Sequence, residues 1–329
     1  MVRAAIEDAR ASVAALLGVR PREVVFTSGA TEAANAAVWG VASSRPGLIA
    51  CAAVEHSCVR DACDRTGRSV PLPVSVTGEI SVAAVEELVA GPEPVALVNC
   101  QWGNHEVGTL QPVAAIIETC RAAGVLVHVD AAQACGQVPL ELGAIGADLV
   151  SVSGHKFGGP PGVGALIVRR GLRIPALLVG GEQERARRAG MENVPAIIGF
   201  GVAAGCVPDP SAALAFTKAL LDAALAVPGV VAYGSPVARL PHIVCLGVEG
   251  VEAEAVLLGL DQAGIAAHSG SACSSESLEP SPVLEAMGVD AQRSLRLSVG
   301  WSTTPADVSA FANAFPGVVA RLRALGTTG

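Results

Sequence analysis

Lysine is almost missing from this chain. Lys156 and Lys218 are the only two, and every other basic position is Arg. The basic residues are scattered through a chain of net charge −8, so there is no electrostatic footprint for nucleic acid. Long apolar runs are missing too. Hydrophobic residues make up 51% of the 329 positions, yet they fall in short Ala- and Val-rich stretches that do not reach the length of a membrane span. The nine cysteines include no Cys-x-x-Cys pair and no regular framework, which points to a reducing cytoplasm. Cys51, Cys100, Cys120, Cys135, Cys206 and Cys245 lie in or near apolar segments and read as small core residues. Cys58 and Cys63 stand five apart on a predicted helix, a poor metal spacing, and no metal site is expected. The opening Met1-Val-Arg-Ala-Ala-Ile-Glu-Asp-Ala-Arg10 reads as a charged amphipathic helix and not as a secretory signal. Internal repeats and low-complexity tails are also absent.

What remains is an α/β pattern. Val-rich runs at 23–27, 47–52, 94–100, 125–129 and 147–152 alternate with Ala-rich helical stretches near 32–41, 57–65, 82–89 and 112–123. Such alternation predicts a mainly parallel sheet with helices on both faces. The weakly marked linker Val207-Pro-Asp-Pro-Ser211 divides the chain into a large domain, 1–208, and a smaller C-terminal α/β domain, 209–329. Gly158-Gly-Pro-Pro-Gly-Val-Gly164 is not a dinucleotide loop, because it leads into the strand-like Ala165–Val168 and not into a helix.

Ligands of parallel sheets bind beyond the carboxyl ends of the strands. That rule selects the loops starting at Ser28, Val54, Gln101, Asp130 and Ser153. The last holds Ser151-Val-Ser-Gly-His-Lys156. An amine can lose its proton and become a nucleophile, whereas Arg cannot. The chemistry that needs such an amine is Schiff-base formation with a carbonyl, most often that of pyridoxal phosphate; a surface lysine in a turn is the plain alternative. The small-residue turn Ser28-Gly-Ala-Thr-Glu32 opens a helix and can seat a phosphate or serve only as an N-cap. Asp130 can pair with a pyridinium nitrogen or cap a helix, and His56 and Asn104 end or follow other strands.

Nine strings, in order, resemble the cysteine desulfurases of the NifS/IscS-like group, class V aminotransferase family, fold type I. They are Phe26–Glu32, Glu55-His56, Asn104–Gly108, His128–Gln133, Ser153–Lys156, Gly180–Asn193, Ser269–Cys273, Leu278–Ser281 and Leu295–Ser298. The resemblance spans about residues 2–325. It implies that Lys156 holds pyridoxal 5'-phosphate covalently, that His56 stacks on its ring, and that Asp130 keeps the ring nitrogen protonated. Gln133 would bond the phenolic oxygen, while Ala30, Thr31, Ser153 and His155 would hold the phosphate. Arg296 would bind the carboxylate of L-cysteine with help from Asn104, and Cys273 would accept the sulfur as a persulfide. Cys273 lies in a small, polar stretch, the one cysteine without an apolar setting, which suits a group that must travel. The family also implies a homodimer, a sulfur-acceptor protein and roles such as iron–sulfur cluster assembly.

Two features depart from the family pattern. Its members carry several tens of residues ahead of the position of Met1, including an Ala-Thr-Thr loop near the substrate. Position 191 is commonly Thr, reaching across the dimer to the partner's phosphate; here it is Met191, which cannot donate that bond. A lost bond to a charged group costs on the order of 1.5–3 kcal/mol. Other readings are a selenocysteine lyase or aminotransferase of the same class, or a truncated, non-catalytic scaffold of sulfur transfer.

Overall fold

A computed structural model describes residues 2–269 and 280–326. The chain divides into two compact units. The first comprises 1–73, 80–103 and 111–208; the second comprises 74–79, 104–110 and 209–329. Two short segments that precede position 208 in sequence thus belong to the second unit.

The first unit holds α1 (Val2–Leu16), β1 (Val24–Thr27), α2 (Ala30–Ser44), β2 (Leu48–Ala52), α3 (Ser57–Asp64), β3 (Ser69–Leu72), α4 (Val82–Ala90), β4 (Val95–Gln101), α5 (Val113–Ala122), β5 (Leu126–Asp130), α6 (Leu142–Ile145), β6 (Leu149–Ser153), β7 (Gly164–Val168), the single turn α7 (Gln183–Ala186) and α8 (Val194–Ala204). Its seven strands run in the order β1-β7-β6-β5-β4-β2-β3. All pairs from β6 to β3 are parallel, while β7 is antiparallel to both β6 and β1. Two reversals restore direction, so β1 runs with β6. The carboxyl ends of β1, β6, β5, β4 and β2 therefore share one edge. The sheet is mainly parallel, as the alternating pattern predicts.

Local sequence explains the elements. β5 and β6 are buried at every position, and their β-branched residues fit a sheet covered by helices. α2 is an Ala-rich helix whose buried stripe, Ala33, Ala34, Ala37, Val38 and Val41, recurs at helical spacing and joins Val25, Leu97, Leu149 and Leu166 in one core. Ser81 caps α4 by accepting from the Ala84 N–H, and Asn193 caps α8 by accepting from Ala196. Gly164 admits the turn after β1 closely: a Cβ there would lie 2.7 Å from the backbone of Gly29. β3 was not anticipated. Its Pro71 lacks an N–H, which obscures the strand in sequence but is tolerated because β3 is an edge strand.

The second unit holds α9 (Ser211–Leu225), β8 (Val230–Tyr233), β9 (Ile243–Val248), α10 (Ala253–Asp261), β10 (His268–Ser269), α11 (Pro282–Ala286), β11 (Ser294–Ser298) and α12 (Pro305–Gly326). Its strands form an antiparallel sheet in the order β10-β11-β9-β8. Leu246, Leu295, Val256, Phe311 and Phe315 are buried together, and the two Phe rings stack at 4.9 Å.

Candidate active site

The shared edge of the first sheet gathers most of the predicted site residues. Asp130 ends β5 and is buried. Its Oδ1 accepts from the Ala132 N–H at 3.0 Å and from the Ser151 hydroxyl at 3.1 Å. Lys156 lies in the 3-10 turn Gly154–Phe157 that follows β6, with an exposed side chain. Gly158 ends that turn at φ 93°, the left-handed region that favours glycine. The Ser153 hydroxyl meets His155 Nδ1 at 2.9 Å. Burial first, and then neighbouring Lys156, lower the pKa of His155, favouring the neutral ring.

The turn Ser28–Gly29 opens α2. Ala30 and Thr31 are its first residues, so their amides have no intrahelical acceptor. A Cβ on Gly29 would meet nothing within 4 Å, which leaves the backbone there open to approach. Glu32 holds this turn: its Oε2 accepts from the Ser28 N–H at 2.8 Å, and Arg188 pairs with it through Nε and Nη2 at 2.9 and 3.1 Å. Burial opposes the Glu32 charge, but the bonds from Arg188 and Ser28 outweigh it and hold the carboxyl below its ordinary pKa.

His56 caps α3, its Nδ1 accepting from the Cys58 N–H at 3.1 Å. The neutral ring therefore carries its proton on Nε2. Cys58 is half-buried, and its thiol pKa is raised by burial and by Asp130 and Glu55. Gln133 is half-buried just beyond the end of β5. Burial pushes the thiols of Cys135 and Cys245 up to about 12, in keeping with inert core residues. Cys206, expected in the core, is exposed, because α8 ends at Ala204 and the chain there enters its Pro-rich link.

Asn104 and Arg296 belong to the second unit. Asn104 is buried, and its Oδ1 accepts from the Glu106 and Val107 N–H groups at 2.8 Å each. That oxygen shapes a tight turn. Half-buried Arg296 on β11 donates from Nη1 to the His105 carbonyl at 3.2 Å. The neighbouring Glu106 carboxylate, also buried, accepts from the Ser281 hydroxyl. Cys273 lies outside the described residues. No cluster of metal-ligating side chains exists among the described residues.

The aminotransferase class-V family profile matches residues 1–311. The chain belongs to that family. Its relatives include the IscS-like cysteine desulfurase of Mycobacterium tuberculosis, 41% identical over 98% of this chain and 87% of the relative. Cysteine desulfurase 2 of Trichormus variabilis is 40% identical over 98% of this chain and 84% of its own length. Among solved structures, a NifS-like protein superposes with a TM-score of 0.89 at 30% identity, covering 98% of this chain and 89% of that one. The fold is that of a type I pyridoxal phosphate enzyme, and the chain is a pyridoxal phosphate-dependent enzyme of the cysteine desulfurase group.

Three buried polar residues beside the site were given no role in the sequence reading, although His128 and Ser151 stand in strings quoted there. Asn99, His128 and Ser151 sit inside Val-rich strands, where only their polarity set them apart.

Proposed function

We propose that this chain converts L-cysteine to L-alanine and takes the sulfur onto Cys273, with pyridoxal phosphate held at the sheet edge described above. The observation that carries this reading is the meeting of three loops at that edge: the open α2 N-terminus, Asp130 at the end of β5, and the exposed amine of Lys156 after β6. These residues fit the cofactor. The phosphate suits the free first-turn amides of Ala30 and Thr31, assisted by Ser153 and His155. The buried carboxylate of Asp130 suits the ring nitrogen, Gln133 the phenolic oxygen, and His56 the ring face. When bound, the cofactor supplies a carbonyl for the substrate amine and a ring that accepts electrons from Cα.

The chain's own residues do the rest. Asp130 holds a proton at the ring nitrogen. Lys156 would hold the cofactor through its amine and, once freed, would move the proton at the substrate Cα. Arg296 takes the substrate carboxylate, with Asn104 shaping the adjoining turn. The Cys273 thiolate attacks the substrate sulfur; an S–S bond forms as the C–S bond breaks, leaving a persulfide on Cys273 and L-alanine as product. Thiol exchange then passes the sulfur to an acceptor protein, such as a scaffold of iron–sulfur cluster assembly.

The same reading includes a cytoplasmic homodimer. Val179 and Met191 flank α7 and are 81% and 86% exposed, apolar surface that a second copy would cover. The eight described cysteines are free, which suits a reducing compartment. The test is direct. Purified protein should absorb in the violet and form alanine and sulfide from L-cysteine with a reductant. A colourless protein that stays inactive when supplied with pyridoxal phosphate would refute the reading.

A further inference from the structure

Four buried side chains lie in a row across three parallel strands. Asn99 on β4 is in register with His128 on β5, and Asp130 is in register with Ser151 on β6. His128 and Asp130 stand two apart, so they share one face of the strand. Their exposures are 0% for Asn99, 1% for His128, 0% for Ser151 and 7% for Asp130, which keeps solvent from completing their hydrogen bonds.

The contacts form a chain. Asn99 Oδ1 lies 2.9 Å from His128 Nδ1, His128 Nε2 lies 3.2 Å from Ser151 Oγ, and Ser151 Oγ lies 3.1 Å from Asp130 Oδ1. Its protons can be counted. Asn99 Nδ2 donates to the Ala50 carbonyl at 2.9 Å, so the amide oxygen is the atom that faces His128. That oxygen only accepts, and His128 Nδ1 must carry the hydrogen. Burial disfavours a second proton on this ring, and its pKa falls to about 4. Nε2 is then a bare acceptor. Ser151 has one hydrogen and two acceptors for it, His128 Nε2 and Asp130 Oδ1.

We propose that Ser151, oriented by Asn99 and His128, is a positioning residue that sets how strongly Asp130 holds a proton at the cofactor's ring nitrogen. When the hydroxyl points to Asp130, Oδ1 has two donors, Ser151 and the Ala132 N–H, which share its negative charge with the ring nitrogen's proton. When it turns to His128, Oδ1 keeps only the amide, and more of its charge faces the ring nitrogen's proton. His128 supplies the second acceptor, and Asn99 keeps the His128 proton on the far nitrogen. The inference rests on the reading of Asp130 given under Proposed function.

Two measurements test it. In apo-protein labelled with nitrogen-15 histidine, and with His128 assigned through His128→Gln, the ring should be neutral and Nδ1-protonated from pH 8 to pH 5. A ring protonated on Nε2, or doubly protonated in that range, overturns the relay. In cofactor-loaded protein, Ser151→Ala should shift the pH midpoint of the visible absorption. It should also change exchange of the L-alanine Cα proton on the order of tenfold with little change in KM, and Ser151→Thr should restore both. Unchanged midpoint and exchange in Ser151→Ala, alongside large changes in Asp130→Ala, overturn the proposed role of Ser151. If Asp130→Ala itself changes neither, the reading of Asp130 fails and the functional half of the proposal fails with it, while the apo-protein spectrum still decides the proton placement.

Discussion

Arg10 and Glu184 form a buried, two-pronged ion pair, with both N–O contacts at 2.7 Å. Glu184 Oε2 also accepts from the Phe26 N–H at 2.9 Å, and Arg10 donates to the Val24 carbonyl at 3.0 Å and lies over the Phe26 ring. The pair thus fastens α1 and α7 to β1, the strand whose end opens into the Ser28 turn. It also holds an unfavourable conformation, because Glu184, Arg185 and Ala186 have φ of 48°, 60° and 59°. Left-handed non-glycine residues cost roughly 1–2 kcal/mol each.

Breaking that pair should be costly. Glu184→Gln removes the two-pronged partner of buried Arg10, leaving it only Glu7 at 3.2 Å from its Nε, and should destabilise the fold by about 3–5 kcal/mol. The urea midpoint, read at constant slope, checks this. A loss below about 1 kcal/mol would show that the existing contact with Glu7 is enough to hold the Arg10 charge.

Lys156 should be the residue that borohydride fixes to the cofactor. Peptide mapping of the reduced protein should place the pyridoxyl group there, and Lys156→Ala should form no alanine from L-cysteine. Label on Lys218, which pairs with Asp222 at 2.6 Å on an exposed helix face, would refute the assignment.

Cys273 alone should carry persulfide. Alkylation after addition of L-cysteine should mark that residue, and Cys273→Ser should stop persulfide formation while the cofactor spectrum stays intact. Full-rate alanine formation in Cys273→Ser, with persulfide on Cys58, would overturn the sulfur path.

Stability should fall as pH drops below about 6.5. His128 has a folded pKa near 4 against an ordinary 6.5. Between those values the unfolded chain binds a proton that the folded chain does not, so acid favours unfolding by on the order of 3 kcal/mol across the window. The lowered carboxyl of Glu32 acts in the same direction at lower pH: its contribution is present above 4.5 and is lost as pH falls through the folded value. Urea midpoints from pH 8 to pH 4 should decline in the parent and decline less in His128→Gln. Equal slopes would mean that the ring does not titrate between the two states.

Met191→Thr should slow cofactor loss, and only in protein that is dimeric. A hydroxyl donates to a phosphate where a thioether cannot. Met191 is 86% exposed in the single chain, so the residue is free to meet a partner. Dissociation followed by absorbance against a trap gives the answer; equal rates in two dimeric proteins would show that position 191 does not reach the phosphate.

Much of this protein was legible in the chain. The alternation of Val-rich and Ala-rich runs determined a mainly parallel sheet, and the strand-end rule pointed to Asp130, His56 and Lys156, which stand at the end of β5, at the cap of α3 after β2, and in the turn after β6. Tertiary structure decided what depends on strand order and on contacts distant in sequence. That β1 lies beyond β7, so that its end shares an edge with β6, follows from two antiparallel pairings that carry no local signal. The pairing of Arg10 with Glu184 joins residues 174 positions apart. The row Asn99, His128, Ser151 and Asp130 exists only because three strands stand in one register, which brings together side chains that each look like an isolated polar residue in an apolar strand.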